Sequence, residues 1–361
     1  MPITHLDYVP VLKWRQGEYQ ALFRLRDPHR SRVVPLIEMT PPDFDFESWL
    51  PKKTIDEHLE KFAARLKDKW GARLAFLDAG LIDPAARMIG GMHPLLWLMN
   101  EVRPNGSPLI PVTGFERDAG YQSAVNLAHL VDGRGAALRC SLEDAVDPDF
   151  GYNVESLLDT LGFDHDELDI IVDLKSPNFE PLDGLAQLLA ATLQSSPAFA
   201  AARSVTIVAT AFPASMGDVT GPIKLISRSE WLLYKALIPL LAASSVRPAF
   251  GDYGIASHEL PQGDMRLLKP SATVRYTVDD GWLVAKGNNV RDNGFAQYRT
   301  CCGLVTGSAG FMGAGFSAGS EYVEQCRAGS ASTGNLSTWR WVGTNHHMTK
   351  VVHDLASFYA P

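Results

Sequence analysis

Along the first 255 residues, short runs of β-branched and other apolar residues repeatedly end in charge, and stretches with apolar residues at helical spacing follow them. The clearest run is Leu168–Ser176, Leu-Asp-Ile-Ile-Val-Asp-Leu-Lys-Ser, which stays apolar until Asp173 and Lys175. A nearly continuous apolar run of this length reads as a parallel strand buried on both faces. Seven more runs of the same shape are Tyr8–Trp14, Val33–Met39, Arg73–Leu77, Leu109–Thr113, Gly135–Arg139, Ser204–Thr210 and Val246–Gly251. Helical spacing predicts helices over Glu18–Leu25, Ile55–Trp70, Pro94–Val102, Ala119–Leu130, Val154–Leu161, Leu185–Leu193 and Arg228–Leu241. Eight strands alternating with helices predict an α/β fold, a (β/α)8 barrel spanning residues 1–255. A doubly wound open sheet uses the same elements but ranks second, because no Gly-rich nucleotide loop follows the first strand.

After residue 255 the pattern changes. Ala272–Tyr276 and Trp282–Lys286 alternate around Asp279-Asp280-Gly281, which predicts a β-hairpin. A Gly/Ser-rich run (Gly303–Gly319), a short helix (Ser320–Cys326), a polar stretch (Gly334–His347) and a terminal helix from about His347 to Phe358 follow. Residues 256–361 are therefore expected to form a C-terminal extension packed on the barrel without a core of its own.

The chain has 361 residues, 46% of them hydrophobic, enough for a large core. Its net charge of −8 disfavours a surface built mainly for phosphate backbones, although a local basic pocket is compatible with it. Four cysteines, with Cys301 and Cys302 adjacent, suit neither a disulfide scaffold nor a Cys-x-x-Cys zinc site, and are expected to be reduced core thiols. The beginning of the chain has no basic segment or apolar run, and no stretch reaches the roughly 18 apolar residues of a membrane span. A soluble, cytoplasmic protein without membrane contact is expected.

In a (β/α)8 barrel the carboxyl ends of the strands form one mouth. Lys13, Glu38, Asp78, Arg139, Asp173, Lys175 and Asp252 all fall at such ends, whereas the amino ends begin mainly with apolar residues. Two chemistries are open to them. Glu38, Asp78, Asp173 and Asp252 could hold Mg²⁺ or Mn²⁺ while the cations hold a phosphate, for metal-assisted ester cleavage. The substrate expected of that metal mechanism is a nucleotide or nucleic-acid end, with Lys13, Glu38, Asp173 and Lys175 as its catalytic residues at the mouth. Alternatively, Glu38 and Asp173 act as acid and base without a metal, with Lys13 and Arg139 binding a small anionic molecule. A closed ion network on a non-enzymatic recognition module is the competing reading. No organic cofactor is indicated. In the tail, Trp339, Arg340, Trp341, Asn345, His346 and His347 place stacking, anion-binding and acid-base groups within nine residues. They are expected to fold over the mouth, with His346 in a catalytic role and Trp339, Arg340, Asn345 and His347 binding substrate; the alternative is that Trp339 and Trp341 anchor the tail and His346 caps or packs the last helix.

The opening Tyr-Val-Pro-Val-Leu-Lys-Trp-Arg-Gln-Gly-Glu-Tyr-Gln-Ala-Leu (residues 8–22), with Val-Pro-Leu-Ile-Glu (residues 34–38), resembles the amino end of the beta family proteins of phages and bacteria. The tail resembles them too, in residues 316–326, Gly334-Asn335, Trp339-Arg340 and residues 343–347. Ser320 departs from that pattern, which carries Asp there. The resemblance implies no particular reaction. It implies a phage or defence context, with a phage or defence protein as a potential partner, and singles out Lys13, Glu18, Glu38, Trp339, Arg340, Asn345, His346 and His347.

Overall fold

The computed structural model describes residues 3–217, 219–260 and 267–360. Eight parallel strands close into a barrel in chain order. They are β1 (Tyr8–Leu12), β2 (Leu36–Glu38), β3 (Ala75–Asp78), β4 (Leu109–Thr113), β5 (Ala136–Cys140), β6 (Leu168–Asp173), β7 (Ser204–Ala209) and β8 (Ala249–Asp252). Closure is made by β8 pairing back onto β1, with Tyr8 opposite Phe250. The open-sheet alternative is thereby removed. Every residue of β1, β2, β3, β4, β6, β7 and β8 is buried, which is why these segments carry unbroken apolar runs.

Helices Pro94–Val102, Ala119–Asp132, Phe150–Leu161 and Leu182–Ser195 follow strands as the periodicity predicts. Asp118 caps the second of these by accepting the N–H groups of Gly120 and Tyr121. The helix predicted over Ile55–Trp70 is divided into Ile55–Leu59 and Phe62–Lys69.

Two compact units make up the chain. The barrel unit comprises Met1–Trp14, Val34–Ala209 and Leu233–Asp252. The second comprises Arg15–Val33, Thr210–Leu232 and Tyr253–Pro361, so the expected division at residue 255 captures only its last part. Helix Gln16–Phe23, which follows β1 in the chain, belongs to this second unit and lies against the terminal helix Leu336–Phe358. Their approach is so close that the stem of Arg340 occupies the place where a side chain on Gly17 would stand. The Asn345 amide also donates to the Ala21 carbonyl at 3.0 Å.

The second unit has its own core, contrary to the expectation of a coreless extension. An antiparallel sheet of Ile223–Ser227, Gly281–Asn289 and Ser271–Thr277 contains the predicted hairpin and one strand that was not predicted. Tyr276, Tyr298, Cys301, Cys302, Val305, Cys326, Trp339 and Val342 are among the buried residues clustered there. The terminal helix begins at Leu336, eleven residues earlier than its amphipathic pattern suggests, because Asn335 caps it through the Thr338 N–H. Fourteen of its 23 residues are buried, including Thr344, Asn345, His346, His347 and Lys350, so no polar stripe marks it as a helix. All four cysteines are buried and unbridged, and burial raises each thiol's pKa, that of Cys301 to about 11. Among the described residues no helix is long and apolar enough to cross a membrane.

Candidate active site at the barrel mouth

The register of the parallel strands places Glu38 of β2 directly beside Asp78 of β3. Arg139, next to last in β5, reaches both: Nη1 donates to Glu38 Oε1 at 2.7 Å and to Asp78 Oδ2 at 2.8 Å. Nε and Nη2 of the same guanidinium donate to Asp173 Oδ2 of β6, at 2.9 and 2.7 Å. One cation thus joins carboxylates from β2, β3 and β6 across the barrel interior. Only closure of the sheet brings these strand ends together.

The remaining oxygens are used unequally. Asp78 Oδ1 accepts from the Gly80 N–H at 2.8 Å and from Arg117 at 3.2 Å. Asp173 Oδ1 accepts from the Lys175 N–H at 2.9 Å, and Asp252 Oδ1 accepts from the Tyr8 hydroxyl at 2.5 Å. Glu38 Oε2 is buried with no hydrogen-bond partner among the described residues. Burial raises the Glu38 pKa; Arg139 and Lys13 oppose the rise, Asp78 adds to it, and the net direction is upward. Glu38 therefore keeps its proton to a higher pH than an ordinary carboxyl.

The four carboxylates expected to hold a metal, Glu38, Asp78, Asp173 and Asp252, each have an oxygen engaged by another side chain. A divalent ion needs several hard oxygens directed at one point. Here Glu38, Asp78 and Asp173 direct an oxygen each at Arg139. Asp252 spends an oxygen on Tyr8. Among the described residues no group of three His, Cys, Asp or Glu side chains is arranged to hold a metal.

Lys13 follows β1 directly, is 8% exposed, and acts electrostatically on Glu38. Lys175 follows β6 with an exposed side chain. Its backbone is left-handed, φ 54°, as is that of Trp14 at φ 51°. Such conformations are strained for residues with a Cβ and gather at functional sites.

Beside Asp78, a cleft of about 110 Å³ opens between the loops after β3 and β4, lined by Gly80, His93, Arg117 and Tyr121 among others. The Leu95 N–H donates to His93 Nδ1, so the neutral ring carries its proton on Nε2. Burial, and then Arg87, lowers the His93 pKa. Neither Arg117 nor His93 was singled out from the sequence, because both lie inside loops rather than at strand ends. The Arg and His side chains themselves were the only available signal.

The tail residues occupy the interior of the second unit. His346 is fully buried, stacked on Tyr276 with ring centroids 3.7 Å apart. Its Nε2 donates to the Thr277 carbonyl at 2.8 Å, and the Ser320 hydroxyl donates to Nδ1 at 3.0 Å. Burial lowers its pKa to about 3, so it is neutral at physiological pH with both nitrogens engaged. His347 Nδ1 meets the Thr277 hydroxyl at 2.9 Å. Asn345 accepts from the Gly319 N–H. Trp339 stacks on Tyr298 and donates to the Thr333 carbonyl, and Arg340 points to the Ile255 carbonyl at 3.4 Å. These contacts hold the second unit together, which is the packing alternative expected for the tryptophans and His346. Glu18 is buried as well, its carboxylate closing a capping box on the Arg15 N–H.

No curated protein matches the chain. Among solved structures, the triosephosphate isomerase of Bartonella henselae is similar over 68% of this chain and 91% of its own, at 12% identity and a TM-score of 0.34. The barrel assignment stands on the strand pairing rather than on that likeness. The Beta protein family model matches residues 8–353. The chain, with its eight-stranded barrel and buried carboxylate mouth, belongs to the Beta protein family.

Proposed function

We propose that the chain is a cytoplasmic hydrolase that cleaves a phosphate-containing substrate, a nucleotide or nucleic-acid end, at the barrel mouth without a metal. The phage–host context implied by the family resemblance suits such an activity. The observation that carries the reading is Glu38 Oε2, a buried carboxyl oxygen without a partner among the described residues, on a group whose pKa is raised. Leaving a buried polar atom unsatisfied costs about 1–3 kcal/mol, a cost that an acid-base role explains. Water attacks phosphorus, the bond to the leaving oxygen breaks, and protonated Glu38 gives its proton to that oxygen. The proton shed by the attacking water restores Glu38. Lys13, Arg139 and Lys175 supply positive charge beside the departing group.

A recognition module is the second reading, favoured by Arg139 pairing with three carboxylates as a closed ion network would. A panel of nucleotides, short oligonucleotides and aryl phosphate mono- and diesters separates the two. The proposal expects turnover that persists in EDTA and falls at least 100-fold in Glu38→Gln, the lower end of general acid catalysis. No turnover, or turnover indifferent to Glu38→Gln, supports the module.

A further inference from the structure

The loop after β2, the strand that carries Glu38, is on the mouth face by topology and contains a small hairpin. Phe44 pairs with Pro51 and Asp45 with Leu50. The turn is held by Asp45, which accepts the Glu47 N–H at 3.1 Å and the Ser48 hydroxyl at 3.0 Å. Phe44, Phe46 and Trp49 pack edge to face on one another, with centroids 5.2, 6.1 and 6.3 Å apart. Within this cluster Trp49 is nonetheless 71% exposed, and the neighbouring Leu50 62%. Trp49 also has a left-handed backbone, φ 55°, as Trp14 and Lys175 have, and like them lies in a loop leaving the carboxyl end of a strand.

We infer that this hairpin is an aromatic arm that stacks on a planar heterocycle of the substrate, so that the substrate is a nucleoside phosphate rather than a phosphorylated sugar or peptide. The inference rests on the mouth being a phosphate site. Two strongly exposed side chains are far too small a patch for a protein partner, since a stable interface covers about 800 Å² on each side. A single base needs no more than one indole face. The arm does not read the phosphate: Asp43, Asp45 and Glu47 outnumber Lys52 and Lys53 there, and anion binding falls to the mouth. The tail's Trp339, the alternative stacking residue, is buried against Tyr298.

Calorimetric titration of the full chain with AMP, ribose 5-phosphate and adenosine tests this, using wild type, Trp49→Ala and Trp49→Phe. Wild type should bind AMP about tenfold more tightly than ribose 5-phosphate, the lower range for base stacking. Trp49→Ala should bring the two to equality without altering ribose 5-phosphate affinity, which also reports that the variant is folded; Trp49→Phe should keep most of the preference. Equal affinities in wild type, or a preference that survives Trp49→Ala, overturns the arm while the phosphate site stands. Adenosine binding that depends on Trp49 without any ribose 5-phosphate binding keeps the arm and overturns the phosphate site. Absence of all binding at millimolar concentration overturns both. Dimerisation in sedimentation that Trp49→Ala abolishes also overturns the arm, by assigning its exposed face to a second copy.

Discussion

Replacing His346 by glutamine should make the chain less stable at neutral pH and, at the same time, less sensitive to mild acid. The ring is buried and its pKa falls from 6.5 to about 3, with desolvation as the first cause. A depressed pKa means that the folded state binds fewer protons than the unfolded one. The stability contributed by the neutral ring is therefore present above 6.5 and lost as the pH falls toward about 3. Worked through the linkage relation, His346 alone removes about 2 kcal/mol between pH 7 and pH 5, and about 4–5 kcal/mol over the whole interval. Glutamine retains an N–H for the Thr277 carbonyl but loses the stacking on Tyr276 and the Ser320 contact, a loss of about 1–3 kcal/mol at pH 7. Urea unfolding followed by circular dichroism, at pH 7 and pH 5 for both proteins, measures the double difference. Titrations of the other histidines are common to both and cancel. If wild type and His346→Gln lose equal stability between the two pH values, His346 is not a buried neutral group and the structural role assigned to the tail is wrong.

Arg139→Met should cost about 3–5 kcal/mol by chemical denaturation, because it leaves Glu38, Asp78 and Asp173 without their shared cation. Loss below about 1 kcal/mol would mean that the three carboxylates are not held as described. Gly135→Ala should cost more than about 2 kcal/mol, since Gly135 has φ 63° and an added Cβ would overlap the Glu167 carbonyl beside β5. An unchanged melting temperature would contradict that packing.

The barrel was legible because parallel strands covered on both faces have to be apolar throughout, and their polar punctuation then marks the carboxyl ends. Glu38, Asp78, Arg139 and Asp173 were collected by that rule alone, and the structure joins all four. That Arg139 would stand at the centre was not legible, because pairing across a barrel leaves no spacing in the chain. The burial of the tail was only half legible for a physical reason: Asn345, His346 and His347 read equally as reactive groups or as packing ones, because a helix buried on most sides can carry such groups when each finds a partner. Ser320, the departure from the family pattern, is one of those partners, meeting both His346 and the Tyr276 hydroxyl. The second unit's outline was hidden because residues 15–33 and 210–232 join it from within the barrel's sequence.

The raised pKa of Glu38 can be read directly by ¹³C NMR titration of the chain labelled at the glutamate carboxyl carbons, with Glu38→Gln identifying its resonance. A midpoint above the ordinary 4.5 is predicted, because burial outweighs the attraction of Arg139 and Lys13. A midpoint at or below 4.5 would make Glu38 an ordinary member of an ion network and contradict its role as the proton donor of the mouth.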